Sequence, residues 1–246
     1  MIFNKFFILF KIGRKIGKSN IINIVSETHK IPVFIKLFFN LLAFSFSSSN
    51  NTKSKGKENL SESIQEMGTT FIKLGQFLAT RPDIIGEKLS KELESLQDKL
   101  PPFSKKEAEK IIIENLGQSN FDDIIDLSEP IAAASIAQVH KAKIKEDNII
   151  KNVAIKVLRP NIKKIFNDEI DAIMLLAYTV ESLITKTKRL KLIEVVFLFK
   201  EITNHEMDLR FEAAAANEYA ENTKNDLGFL VPKIYWNFTS ESVLTL

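Results

Sequence analysis

The spacing of hydrophobic positions changes character along the chain. Ile64, Met67, Phe71, Leu74 and Leu78 recur at three and four residues, which predicts helix with one apolar face from Glu58 to about Gly117. Within that stretch Pro82 opens a second helix toward Leu96, and Pro101-Pro102 stops it. Ser104, followed three residues later by Glu107, is a capping box and starts a third helix. Near Phe121 the pattern turns to β-branched runs. Ile124–Ile131, Ile136–Ile144 and Asn152–Leu158 predict three strands in a meander, with Glu146-Asp147-Asn148 as a turn. Helical spacing returns over 160–185 and over 192–222, and Leu230–Trp236 and Ser242–Leu246 read as two more strands. The expected fold class is α+β. A helical N-terminal extension (58–120) packs on a lobe (121–246) of five antiparallel strands with inserted helices, behind a basic apolar segment and linker (1–57).

Composition narrows the chemistry. The chain has 246 residues and no cysteine, so disulfides and thiolate metal sites are excluded. His29, His140 and His205 lie far apart without metal-ligand spacing, and no metal site is expected. A net charge of +3 is too small for a concentrated nucleic-acid face, so no nucleic-acid partner is expected. Charge is nevertheless uneven. Residues 1–46 carry Lys5, Lys11, Arg14, Lys15, Lys18, Lys30 and Lys36 against Glu27 alone, among two Phe-rich apolar runs. Two readings stand for these runs: peripheral contact with an anionic membrane surface or lipid, or core helices of a folded domain. The second run, Ile31 to Phe46, is shorter than the roughly 20 residues a membrane span needs, and Lys36 interrupts it. Residues 45–59 read as a polar linker.

Four short motifs carry candidate chemistry. Val153-Ala154-Ile155-Lys156 puts a lysine on the third predicted strand, where an ammonium on a rigid support can reach phosphates and a carboxylate can hold it. Ala132-Ala133-Ala134-Ser135 stands about 20 residues earlier, where nucleotide-binding lobes place a glycine-rich turn; alanine restricts that backbone. Lys73-Leu74-Gly75-Gln76 places Lys73 and Gln76 on one helix face, and Gly75 admits a close neighbour. Glu206-Met207-Asp208, followed by Glu212, sets Asp208 and Glu212 on one helical face, with Glu206 well round from both. Taken singly, each motif has a plain structural reading: a solvated edge-strand lysine, a small-residue β-turn without a ligand, an amphipathic helix with its polar residues outward, and solvated acids on a helix.

Together, and in this order, they resemble the UbiB family, atypical kinase-like proteins of ubiquinone biosynthesis. The stretches GTTFIKLGQFLATRPDII, PIAAASIAQVHKAKI and VAIKVLRP resemble the family over whole windows; the likeness covers about residues 58–246. The resemblance implies a protein-kinase-like small lobe that binds ATP or ADP. Lys156 would contact the phosphates with Glu212 as its helix partner, and Ala132, Ala133, Ala134 and Ser135 would form the lid. Lys73 and Gln76 would project into the cleft toward Glu206 and Asp208 as the catalytic set. Ala137 stands where the family commonly has glycine.

The chain reaches Leu246 without a catalytic-loop aspartate and asparagine or a DFG-type aspartate, the usual Mg²⁺ holders. The large lobe is therefore expected to be missing, and the chain inactive alone unless a separately encoded large-lobe polypeptide completes it. A non-catalytic membrane- or partner-binding scaffold, or the remnant of a split gene, is the alternative. The expected location is cytoplasmic, and peripheral on the inner membrane if the source is a bacterium.

Overall fold

The structure, a computed structural model, describes residues 2–18, 21, 24, 60–96 and 100–246. The second apolar run from Ile31 to Phe46 and the expected linker lie outside these residues. The chain divides into two compact units, Met1–Gln97 with Lys164–Lys200, and Asp98–Lys163 with Glu201–Leu246.

The first unit is helical. It contains α1 (Ile2–Lys18), α2 (Leu60–Met67), α3 (Thr69–Ala79), α4 (Pro82–Ile85) and α5 (Glu87–Glu94). The apolar face expected as one helix is made by α2 and α3, because Gly68 sits between them at φ +102°, a backbone state that favours glycine. A second glycine, Gly86 at φ +82°, likewise separates α4 from α5 in the helix expected to run unbroken from Pro82. Gly75 is buried in α3, and a Cβ there would come within 2.4 Å of the Leu96 side chain, so its small size lets the α5 end approach. One face of α1 is core: Ile12 is buried against Met67, Phe71 and Ala172, with Ile8, Leu9 and Ile16 alongside. Phe7 points outward at 68% exposure. Among the described residues, no helix is long and apolar enough to cross a membrane.

The first unit is completed by residues 164–200, which carry most of α8 (Ile162–Leu183) and the start of α9 (Leu192–Glu206). Phe199 is buried between Phe166, edge-on at 5.6 Å, and Phe77 of α3, also at 5.6 Å. A hairpin inserted between strands of the other unit thus closes this core.

The second unit is built on an antiparallel sheet of five strands: β1 (Ile124–Ile125), β2 (Pro130–Ala133), β3 (Ala137–Glu146), β4 (Ile149–Leu158) and β5 (Val243–Thr245). Its order is β1-β3-β4-β5, with β2 also on β3. The first expected strand is therefore two short ones on β3, interrupted by Asp126 at φ +54°. The β3–β4 hairpin turns at Asp147 and Asn148, both with positive φ, the backbone that two-residue hairpins require. The expected strand Leu230–Trp236 does not form. Pro232 cannot donate to a ladder, and Tyr235 alone reaches β5, its N–H donating to Thr245 O at 2.9 Å.

Preceding the sheet are α6 (Lys105–Leu116), whose capping box is Ser104 with Glu107, and α7 (Gln118–Asp122). Ile112 of α6 packs on Ala142, Ile144, Val153, Ile155 and Val157. Alternation then sends Val139, Lys141, Ala154 and Lys156 to the opposite face of the sheet.

Candidate functional site

Lys156 lies deep enough in β4 to be fixed by both neighbours, with Val139 opposite it on β3 and Leu244 opposite it on β5. Its side chain leaves the face that α6 does not cover. There it meets α10 (Leu209–Thr223), where Lys156 Nζ donates to Glu212 Oε2 at 2.6 Å. The two side chains are 28% and 48% exposed, so the pair is open to solvent on one side. An ammonium has three donor hydrogens, which leaves capacity for a second anion.

Two residues before Lys156 on the same strand, Ala154 lines a cleft of about 550 Å³ that neither Lys156 nor Glu212 lines. Ile131, Lys141, Ala154, Lys233, Tyr235 and Leu246 are among its walls. Its volume lies within the range of small-molecule sites. Ala154 and Lys156 share a strand face, about 7 Å apart along β4. Leu246 is tied to Ala154 by reciprocal backbone hydrogen bonds of 2.7 and 3.0 Å, which fixes that edge of the cleft. At another edge, Glu146 accepts from Lys151 at 2.5 Å and lies 3.6 Å from Lys233, and the Lys151 hydrogen bond holds its carboxyl below the usual carboxylate range.

The alanine turn joins β2 to β3. Ala132 pairs with Val139 and Ala133 with Gln138, and the Ala134 N–H donates to Ala137 O at 2.8 Å. Ser135 is fully buried. Behind the turn is a buried polar relay. Gln138 Oε1 accepts from Phe103 N–H at 2.9 Å, and Gln138 Nε2 lies 2.9 Å from His140 Nε2. His140 Nδ1 lies 2.8 Å from the Ser128 carbonyl, which can only accept. That places the ring proton on Nδ1 and makes Nε2 the acceptor for Gln138.

Residues 192–222 form two helices instead of one. Asp208 is extended (φ −120°, ψ 96°) and caps α10, accepting from Arg210 N–H at 3.1 Å. Asp208 and Glu212 therefore do not share a helical face: Glu206 ends α9, Asp208 caps, and Glu212 lies in the first turn of α10. The Arg210 guanidinium also donates to both Asp208 oxygens at 2.9 and 2.7 Å, and this hydrogen bonding holds the carboxyl below its ordinary 3.8. A depressed carboxylate adds stability above its unfolded value and loses it as pH falls through the folded one. Asp208→Asn keeps a good cap but removes the charge. Its melting temperature should fall less steeply than that of the unaltered chain as pH drops through and below the ordinary carboxylate value, at a cost of roughly 1 kcal/mol at neutral pH. The cost stays this low because Arg210 is 60% exposed.

Lys73 and Gln76 are half-buried on α3 of the helical unit, whereas Glu206 and Asp208 belong to the sheet unit. Among the described residues, no group of three or more His, Asp or Glu side chains is placed to hold a metal ion. Sequence reasoning does not single out Arg159, three residues beyond Lys156, whose side chain reaches the alanine turn; the only local signal is its place before Pro160 at the end of β4.

The profile of the ABC1 atypical kinase-like domain matches residues 95–246. The chain belongs to the ABC1 atypical kinase-like family. Its relatives carry the name "Probable protein kinase UbiB". That of Cellvibrio japonicus is 34% identical over 217 residues, or 88% of this chain and 39% of the relative. That of Marinobacter nauticus is 34% identical over 218 residues, with the same shares. That of Pseudomonas aeruginosa is 31% identical over 240 residues, 97% of this chain and 44% of the relative. The chain thus spans about two fifths of the length of these UbiB relatives. The sheet unit and its flanking helices are the kinase-like small lobe of the ABC1 family.

Proposed function

We propose that this chain holds an adenine nucleotide, ADP or ATP, as the small-lobe part of a UbiB-type atypical kinase or ATPase that supports ubiquinone biosynthesis. One observation carries the reading: the Lys156–Glu212 pair at 2.6 Å stands on the same strand face as Ala154, which lines a cleft of about 550 Å³. A flat base suits the mostly apolar walls, to which Ile131, Ala154 and Leu246 belong, and a phosphate suits the ammonium a short way along β4. Glu212 restrains the lysine through their hydrogen bond of 2.6 Å. Phosphates engaged there share the ammonium with the carboxylate, and need not displace it. The nucleotide would arrive as its Mg²⁺ complex; holding that ion and orienting an acceptor are tasks for residues beyond this sheet.

The test is a calorimetric titration of the chain with ADP and ATP, with and without Mg²⁺. Saturable binding to one site is the expected result. Absence of saturable binding at millimolar nucleotide contradicts the reading and favours a non-catalytic scaffold.

A further inference from the structure

We propose that Arg159 is the positioning residue of the alanine turn, acting as a fork that locks Ala134–Ile136 into one shape before any ligand arrives. The inference rests on the nucleotide reading of this site and adds to it how the lid is held.

The turn does not use the backbone states that tight hairpin tips favour. Ser135 and Ile136 form its tip, closed by the Ala134 N–H bond to Ala137 O. Two-residue hairpin tips ordinarily use positive φ at one or both central residues. The non-glycine residues with positive φ among those described are Asp126, Asp147, Asn148, Asn161 and Lys191, and none belongs to this turn. Arg159 adds a partner from outside the turn, on both arms. Its Nε and Nη2 donate to Ala134 O at 3.0 and 2.8 Å, and its backbone N–H donates to Ile136 O at 2.8 Å.

The arginine is itself anchored from behind. Nη2 also donates to Leu100 O at 3.3 Å, and the guanidinium carbon lies over the Phe103 ring, 5.9 Å from its centroid. Phe103 is held in turn by Gln138, whose side chain bonds both its N–H at 2.9 Å and its carbonyl at 3.2 Å. Pro160 follows directly and favours extended backbone at Arg159, which keeps the fork on the line of β4. One strand thus presents the phosphate-reaching ammonium of Lys156 and, three residues on, the clamp for the opposing turn. Lysine could not replace this arginine, because a point charge lacks the planar fork that serves Ala134 O and Leu100 O at once.

The experiment compares the unaltered chain with Arg159→Lys, Arg159→Met and Phe103→Leu. Amide hydrogen exchange is followed over residues 134–137 and over 142–155 without ligand, and stopped-flow gives the dissociation rate of a fluorescent ADP analogue. Both Arg159 variants should speed exchange in the turn about tenfold relative to the sheet and raise the ADP dissociation rate about tenfold, with little change in association. Phe103→Leu should give a smaller change of the same kind. Turn exchange that is unchanged, or that rises equally across the sheet, overturns the clamp; Arg159→Lys decides the matter if Arg159→Met does not fold. Should the unaltered chain bind no ADP analogue, the nucleotide reading falls and the dissociation arm with it, while the exchange arm still decides whether Arg159 holds the turn.

Discussion

Replacing Lys156 by alanine is expected to raise the dissociation constant for ADP by about 10- to 100-fold while leaving stability within roughly 1 kcal/mol of the unaltered chain. The two halves of that result come from different magnitudes. As a structural pair, Lys156 and Glu212 contribute little, because side chains 28% and 48% exposed are screened by water and salt. As a phosphate ligand, the same ammonium makes a charge-assisted contact worth about 1.5–3 kcal/mol, which is a factor of ten or more in affinity. Glu212→Gln should weaken ADP by only a few fold, since it frees the lysine without removing it. In a double-mutant cycle the two changes should be strongly non-additive, because Glu212 acts through Lys156. An ADP affinity indifferent to Lys156, in a folded variant, would remove the lysine from the site.

Phe199→Ala should destabilise the helical unit by about 3–5 kcal/mol, read as a shift of the urea midpoint. Phe199 is 1% exposed, and its ring packs on Phe166 and Phe77, each at 5.6 Å. Truncation removes the aromatic transfer energy and leaves a cavity that helix backbones on either side cannot close. The three rings come from residues 77, 166 and 199, so the loss reports on whether the inserted hairpin seals a core begun by the N-terminal helices. Phe199→Leu should recover much of the loss. A cost below 1 kcal/mol for the alanine variant contradicts this packing.

These two residues also mark what local sequence can and cannot convey. Lys156 is legible because strand alternation, the preceding Val-Ala-Ile and the distance to the alanine turn are all local. The Ser104–Glu107 cap and the Asp147-Asn148 turn are legible for the same reason. The fate of residues 164–200 is not, since their helical period is the same whichever core they join, and contacts with Phe77 and Met67's cluster decide it. Hydrophobic period also hides breaks made by backbone chemistry. Apolar spacing runs through 192–222, yet Asp208 stops one helix and caps the next. Ile234 is buried and strand-like in sequence, yet Pro232 keeps the segment out of the ladder. Arg159 lies furthest from view, because its partner Ala134 is 25 residues away and the bond is to backbone, which no side-chain pattern reveals.

The most direct measurement is the map of backbone amide chemical-shift changes in the isotope-labelled chain as ADP is added. The account predicts saturable shifts concentrated at Ser135, Ile136, Ala154, Lys156 and Leu246, that is, on the turn, the middle of β4 and the chain end paired with it. Shifts confined to other surfaces, or none at saturating ADP, would contradict it.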